Sequence, residues 1–223
     1  MKSMTPISNL TATARSGLSG NWGKSIGVLV VYMILLVGVS LIPLVGPFMQ
    51  LIFSAPLVVG LTMFFLATVR KQINPFSLLL AGFNCFGTSL CTYLLVSLIL
   101  MAWMIPFSII AVLLVFIHLD PVTTAALWAV LALSMIALMI PLQMRYGLAL
   151  YVVADNPSVR ARQAIRRSIE LMKGNYWRLG LFWLRFIGWQ LLCVLTFGIG
   201  LIWLAPYYMA AMTAFYDDLS TNG

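Results

Sequence analysis

Six apolar stretches divide this 223-residue sequence, and each is long enough to cross a lipid bilayer. The hydrocarbon core of a bilayer is about 30 Å thick, which an α-helix crosses with about 20 apolar residues. A soluble fold is excluded, because 62% of the residues are hydrophobic and only 8% are charged, whereas a soluble domain has about 25% charged residues. The predicted spans are residues 26–45, 51–69, 90–117, 122–154, 176–197 and 201–216.

The predicted fold class is therefore all-α: a polytopic membrane protein with six transmembrane helices, in which residues 1–223 form a single integral membrane domain. The third and fourth stretches are longer than one crossing requires. Either these helices tilt or protrude, or Pro106 breaks the third stretch and creates a short extra segment.

Basic residues fall on only one side of the predicted bundle. With six crossings, the two chain ends and the loops after the second and fourth spans share one face of the membrane, and the opposite loops contain no Lys or Arg. The positive-inside rule then places both termini in the cytoplasm. The net charge of +8 has the same explanation, and no recognition module points to nucleic acid. The basic residues on this face are Lys2, Arg15, Lys24, Arg70, Lys71, Arg160, Arg162, Arg166, Arg167, Lys173 and Arg178.

One cytoplasmic segment has the pattern of an amphipathic interfacial helix. Asp155-Asn156-Pro157 predicts its start and Gly174 its end. One face has helical spacing of mainly apolar residues, namely Ala161, Ala164, Ile165, Ser168, Ile169 and Met172. The opposite face presents Arg160, Arg162, Arg166, Arg167 and Lys173. This pattern predicts a helix lying on the inner leaflet, with its cations among anionic lipid headgroups, and a docking face for a soluble partner is the alternative. Residues 10–18 and 74–86 are weaker versions.

An internal repeat relates the two ends of the chain. Gly20-Asn21-Trp22 precedes the first span and Gly174-Asn175-Tyr176 precedes the fifth. Residues 51–56 and 201–206 both have the pattern Leu-Ile-aromatic-x-Ala-Pro, and Phe65 and Phe215 follow nine residues after those prolines. We therefore predict three parallel hairpin units, each an interfacial helix followed by two spans, over residues 9–69, 73–154 and 157–219.

Two arginines lie inside predicted spans, where a cation is costly. At 1.5 Å per residue, Arg145 and Arg185 are each roughly 12–15 Å inside the cytoplasmic boundary. Both are expected to face the bundle or a water-filled notch. The resulting hypothesis is an anionic site, for a lipid phosphate or a solute, lined by Arg145, Tyr146, Arg185 and Gln190. The alternatives are snorkelling, or ion pairs with the acidic side chains of Asp155, Asp217 or Asp218.

The sequence offers little material for catalysis. No carboxylate lies in the middle of a span, so paired-acid chemistry, a metal site and a cofactor are not expected. Cys85, Cys91 and Cys193 are predicted to be unpaired buried thiols. Catalysis would require one of the acids at the cytoplasmic surface, Asp155, Glu170, Asp217 or Asp218, and we predict that the protein is not an enzyme.

The C-terminal third resembles the bacterial integral-membrane family called domain of unknown function 975. The resemblance covers residues 150–219 closely and Ala14-Arg15 with Gly20-Asn21-Trp22 more loosely. It implies a polytopic protein of the bacterial cytoplasmic membrane and no established activity. Arg185 stands where similar sequences have a small polar residue, so the resemblance does not imply the anionic site. The residues that carry the resemblance include Ala154-Asp155-Asn156-Pro157, Leu171-Met172-Lys173-Gly174-Asn175, Phe186-Ile187-Gly188-Trp189, Gly198-Ile199-Gly200, Pro206-Tyr207 and Phe215-Tyr216.

These observations favour a transport-related or lipid- and anion-interacting membrane component, whose partners are membrane lipids with anionic headgroups at the cytoplasmic leaflet. Six short spans enclose little cavity alone, which favours a homo-oligomer or a partner in a membrane complex. The alternative is a scaffold or accessory protein for envelope assembly or for peptide export and immunity. A lipid-modifying enzyme is the third candidate.

Overall fold

The computed structural model describes residues 6–43, 46–116 and 120–222, and the described residues are helical with no strand among them. A 3₁₀ helix, Gly82–Cys85, joins the fourth and fifth α-helices. The α-helices are α1 Ile7–Leu18, α2 Trp22–Ser40, α3 Gly46–Val69, α4 Leu78–Ala81, α5 Phe86–Phe116, α6 Pro121–Tyr146, α7 Ala149–Asp155, α8 Ala161–Met172, α9 Tyr176–Leu195 and α10 Leu201–Asn222.

Five helical segments of the described chain are long and apolar enough to cross a membrane: Trp22–Ser40, Phe48–Val69, Leu78–Phe116, Pro121–Asp155 and Tyr176–Leu195. The predicted sixth span corresponds to α10, which has 22 residues but is too polar to qualify. Its second half is buried against α1 and α3, so little of that half faces lipid. The membrane-helix character of the chain is thus confirmed, and the sixth crossing stays a prediction.

The structure decides between the two explanations for the long third and fourth stretches, which are long helices or a break at Pro106. Helix α5 runs unbroken through Pro106 for 31 residues, about 46 Å, so a break at this proline is wrong. Helix α6 likewise continues through Pro141 and ends at Tyr146, where Gly147 separates it from the short α7. The extra length therefore belongs to helices longer than the bilayer core.

The buried core lies toward one end of the bundle. It is formed by α1, the second half of α3, α7, the inner face of α8, the first half of α9 and the second half of α10. Its largest fully buried side chains are aromatic, including Phe64, Phe65, Phe182, Phe186 and Phe215. Toward the other end, apolar side chains such as Leu41, Phe116 and Phe197 are exposed. An apolar exposed surface of this extent is typical of helices that lipid covers.

The Gly-Asn repeat corresponds to the same turn in two places. Ser19 has φ −59° and ψ 123° and is followed by Gly20 at φ 79°, while Lys173 has φ −56° and ψ 118° and is followed by Gly174 at φ 80°. These are the angles of a type II turn, whose third residue favours glycine because φ is positive. The turn is closed by the backbone N–H of Asn21 to Leu18 O at 2.8 Å and of Asn175 to Met172 O at 2.9 Å. The middle unit differs, because the 3₁₀ helix leads directly into α5.

Candidate functional site

One arginine joins the ends of three helices. Arg70 follows the last residue of α3, and its Nη1 contacts Asp155 Oδ1 on α7 at 2.6 Å. Its Nη2 contacts Asp217 Oδ1 on α10 at 2.7 Å, and its Nε donates a hydrogen bond to the same oxygen at 2.9 Å. The hydrogen bond to Asp155 is the main cause that raises the pKa of Arg70, so the guanidinium stays charged. We call Arg70, Asp155 and Asp217 the arginine junction.

The neighbouring contacts attach two further helices to this end. Arg178, in the first turn of α9, forms an ion pair with Asp218 of α10 at 2.9 Å and lies over the ring of Phe215. At the end of α1, Gly17 lies so close to α3 that a Cβ there would be 2.9 Å from Thr68 O. These contacts bring α1, the ends of α3, α7 and α10 and the start of α9 together, with α8 alongside α7. We call this part of the molecule the cationic end.

The carboxylates of the cationic end are already paired. Asp155 and Asp217 contact Arg70, and Asp218 contacts Arg178. Glu170 contacts Arg166 at 3.3 Å and Arg167 at 3.8 Å. These four acids are the ones through which the sequence left catalysis open, and each has an arginine within ion-pair distance. At the other end, Asp120 caps α6 by accepting from the Thr123 backbone N–H and hydroxyl, which lowers the pKa of Asp120.

Many cations of this end remain exposed. Lys24, Lys71, Arg160, Arg162 and Lys173 are all exposed, and within the described residues none of them has a carboxylate within ion-pair distance. Lys2 lies outside the described residues. The surface of the cationic end is therefore positive, because its acids are each paired with an arginine while these exposed cations have no such partner among the described residues.

Helix α8 differs in two ways from its sequence-based prediction. It begins at Ala161 rather than at Asn156-Pro157, because the Asn156 side chain instead accepts hydrogen bonds from the backbone N–H and the hydroxyl of Ser158 and forms a local turn. Its inner face is buried against α5, α6 and α7, and the Ser168 hydroxyl donates to Arg145 O at 2.9 Å. Protein, and not lipid, therefore covers this face. The buried residues of this face are Ala164, Ser168, Leu171 and Met172.

The four residues of the predicted anionic site lie on α6 and α9. Arg145 is exposed in the last turn of α6, and its guanidinium lies over the Tyr146 ring at 5.8 Å. Arg185 is exposed on α9, and Gln190 lines a cavity of about 220 Å³ between α9 and α10. The site stays a prediction.

The alternative that pairs Arg145 and Arg185 with acids of this end is wrong. Asp155 and Asp217 contact Arg70, and Asp218 contacts Arg178, in the part of the chain that the structure describes. Within the described residues, the two arginines therefore have no ion pair with a carboxylate at these three positions. The thiol prediction holds for Cys85 and Cys193, which are buried and free, whereas Cys91 is free but exposed.

Two cavities were not found from the sequence. One, of about 470 Å³, lies beside the arginine junction, between α7, α8 and α10, and is lined by Arg166, Arg167 and Glu170 among others. The other, of about 350 Å³, lies between α9 and α10 and is closed by Arg15 and Trp22. The residues of its wall fall into two sets with helical spacing, at positions 189, 192, 193 and 196 and at positions 200, 203, 204 and 207. That matched spacing is the available signal in the sequence, but it does not reveal that Arg15 of α1 and Trp22 of α2 close the cavity.

The described residues are helical and contain five candidate membrane spans, which is the pattern of a membrane protein with several transmembrane helices. A family model described as "Protein of unknown function (DUF975)" matches residues 4–223, and the chain belongs to this family. The resemblance seen in the C-terminal third is confirmed and extends over almost the whole chain. No curated protein and no solved structure matches the chain.

Proposed function

We propose that this chain is a non-catalytic protein of the bacterial cytoplasmic membrane that crosses it six times, with both termini in the cytoplasm, and binds anionic lipid headgroups at its cationic end. The observation that carries the proposal is the concentration of exposed cations at one end of the helices. In the sequence, the segments that join the predicted spans on the opposite side, residues 46–50, 118–121 and 198–200, contain no Lys or Arg. This asymmetry supports a cytoplasmic location for the cationic end.

The contacts of α10 support the sixth crossing. Its start follows the turn after α9, which contains Gly198 at φ 85°, and its end contacts Arg70 and Arg178 at the cationic end. A helix of 22 residues with its two ends so placed runs the length of the bundle. The arginine junction also connects the second helices of all three predicted hairpin units, which supports a three-unit arrangement.

The exposed face of α8 supports binding of anionic lipid. Each Lys or Arg near an anionic membrane surface contributes about 1 kcal/mol of attraction. On α8 and its flanks, Arg160, Arg162 and Lys173 are free to make this contact, and Arg145 on α6 and Arg185 on α9 are exposed as well. Each of the four carboxylates is in an ion pair with an arginine, which supports a structural role for these acids.

Reversal of two α8 charges is expected to remove bound anionic lipid. In the double variant Arg162→Glu, Lys173→Glu, repulsion replaces attraction at two exposed sites, so the affinity for phosphatidylglycerol should fall at least tenfold. Native mass spectrometry of the detergent-purified protein, with phosphatidylglycerol added at low and high salt, counts the bound lipids. Headgroup contacts at an exposed surface should be lost at high salt, because salt screens them.

The matched control is Arg162→Lys, Lys173→Arg, which keeps both charges and should keep the lipids. Equal phosphatidylglycerol counts in the reversed and charge-conserving variants would contradict headgroup binding by α8. Co-purification of an acidic protein that the reversed variant loses would instead favour the scaffold role. The same assay on Arg145→Gln and Arg185→Gln extends the test to the predicted anionic site, which also includes Tyr146 and Gln190. Unchanged lipid binding in both variants would exclude that site.

A further inference from the structure

The cavity between α9 and α10 has mainly apolar walls. On α9 the wall consists of Trp189, Leu192, Cys193 and Thr196, and on the α10 side of Gly200, Trp203, Leu204 and Tyr207. Each set spans eight residues, that is seven steps of about 1.5 Å, so the cavity is a groove about 10 Å long between two parallel stripes of side chains. Cys193 and Leu204 form a buried floor, whereas Trp189 and Trp203 are about half exposed. The groove therefore opens on a side where the two helices expose apolar surface.

Among the described polar groups that line the groove, one is charged and has no ion pair. The Thr196 hydroxyl donates to Cys193 O at 3.0 Å and accepts from Gly200 N at 3.3 Å, so its hydrogen bonds are made within the turn. Arg15 is exposed, its guanidinium lies 6.0 Å from the centre of the Tyr207 ring, and no carboxylate of the described residues lies within ion-pair distance of it. A guanidinium beside an apolar groove is suited to a ligand that has both an anionic head and an apolar chain.

We propose that the groove binds one acyl chain of a membrane lipid whose anionic headgroup pairs with Arg15. The volume of about 350 Å³ is at the lower end of the range for ligand pockets, which fits one chain better than a whole two-chain lipid. The second chain remains in the bilayer, on the open side of the groove. The proposal rests on the membrane location in the proposed function, but it uses different residues from the headgroup contacts of α8.

Two adjacent leucines provide a matched test of the groove. Leu192 lines it and is 54% exposed, whereas Leu191 is 62% exposed and is not part of the lining. Leu192→Trp fills the groove, and Leu191→Trp makes the same change toward lipid. By native mass spectrometry at high salt, we expect one retained phosphatidylglycerol in the wild type and in Leu191→Trp, and at least a tenfold weaker retention in Leu192→Trp. Equal retention in the two variants would overturn the proposal.

The headgroup contact is tested by charge removal and by three probes. For the lipid that is retained at high salt, Arg15→Gln should reduce the preference for phosphatidylglycerol over phosphatidylcholine at least fivefold. Lys24→Gln, also basic and exposed but outside the lining, should leave the preference of this retained lipid unchanged. Glycerol phosphate should not compete, because it lacks the acyl chain. Competition by glycerol phosphate, or an unchanged preference in Arg15→Gln, would overturn the lipid assignment.

The two proposals fail separately in this design. Loss of the salt-resistant lipid in Leu192→Trp, with normal salt-sensitive lipids, supports the groove whatever the outcome at α8. Loss of only the salt-sensitive lipids in Arg162→Glu, Lys173→Glu supports α8 whatever the outcome at the groove.

Discussion

Replacement of Gly60 by alanine should leave little correctly folded protein. A Cβ at Gly60 would overlap the carbonyl oxygen of Leu79 and lie 3.0 Å from that of Leu78, and a Cβ at Gly82 would overlap Pro56 O and lie 2.7 Å from Gly60 N. All of these atoms belong to the backbone, so no side chain can rotate away. Helix α3 and the segment 78–82 would have to separate, which we expect to cost about 3 kcal/mol or more, the upper range for overpacking.

The control for this prediction is Gly38→Ala in α2. Apart from the backbone of its own helix, no atom of the described residues would lie within 4 Å of a Cβ there, so alanine should be tolerated and can add helix stability of up to about 1 kcal/mol. Size-exclusion chromatography and thermal unfolding in detergent measure both variants. If Gly60→Ala is as monodisperse and as heat-stable as Gly38→Ala, the close crossing of the two backbones is wrong.

Removal of the arginine junction is expected to have the second largest effect. In Arg70→Gln, Asp155 and Asp217 lose the cation they share, while their side chains are only 26% and 27% exposed. Breaking a buried pair costs about 3–5 kcal/mol and an exposed pair about 0–1 kcal/mol, so this partly buried junction should cost about 2–3 kcal/mol. The measured quantity is the midpoint of thermal unfolding in detergent.

The stranded charges, rather than the missing arginine volume, should account for most of that loss. Adding Asp155→Asn and Asp217→Asn to Arg70→Gln removes both charges and is expected to recover most of the stability. Arg166→Gln serves as the surface control, since the Arg166 side chain is 83% exposed in its pair with Glu170 and little change is expected. A triple variant no more stable than Arg70→Gln would contradict the charge argument.

The features that the sequence predicts well are local ones. The Gly20 and Gly174 turns follow from residue type, because a positive φ favours glycine wherever it occurs. The apolar face of α8 follows from helical spacing, although Ala164, Ser168 and Met172 of that face are buried against protein and not against the predicted lipid. Membrane-length helices follow from apolar length alone, and family membership follows from the C-terminal motif.

The features that the sequence does not predict depend on distant contacts. Arg70 follows a span, so it resembles any flanking cation, and its partners lie 85 and 147 residues away. From the sequence, ion pairs of those acids with Arg145 and Arg185 are an alternative instead, because these two arginines lie inside predicted spans and need a partner there. The start of α8 was misplaced because Asn156 can cap a helix or form a turn with Ser158, and the choice depends on where α7 ends. The groove closed by Arg15 depends on how α1 packs.

Cysteine accessibility at two positions tests the central claim, that the cationic end is cytoplasmic and the chain crosses the membrane six times. Met49→Cys and Gln163→Cys, each in a Cys91→Ala background, are labelled in intact cells and in inverted vesicles with a membrane-impermeant maleimide. Both positions are exposed in the structure, at opposite ends of the bundle. We expect position 49 to react only in intact cells and position 163 only in inverted vesicles. Reaction of both from the same side, or of position 163 in intact cells, would contradict it.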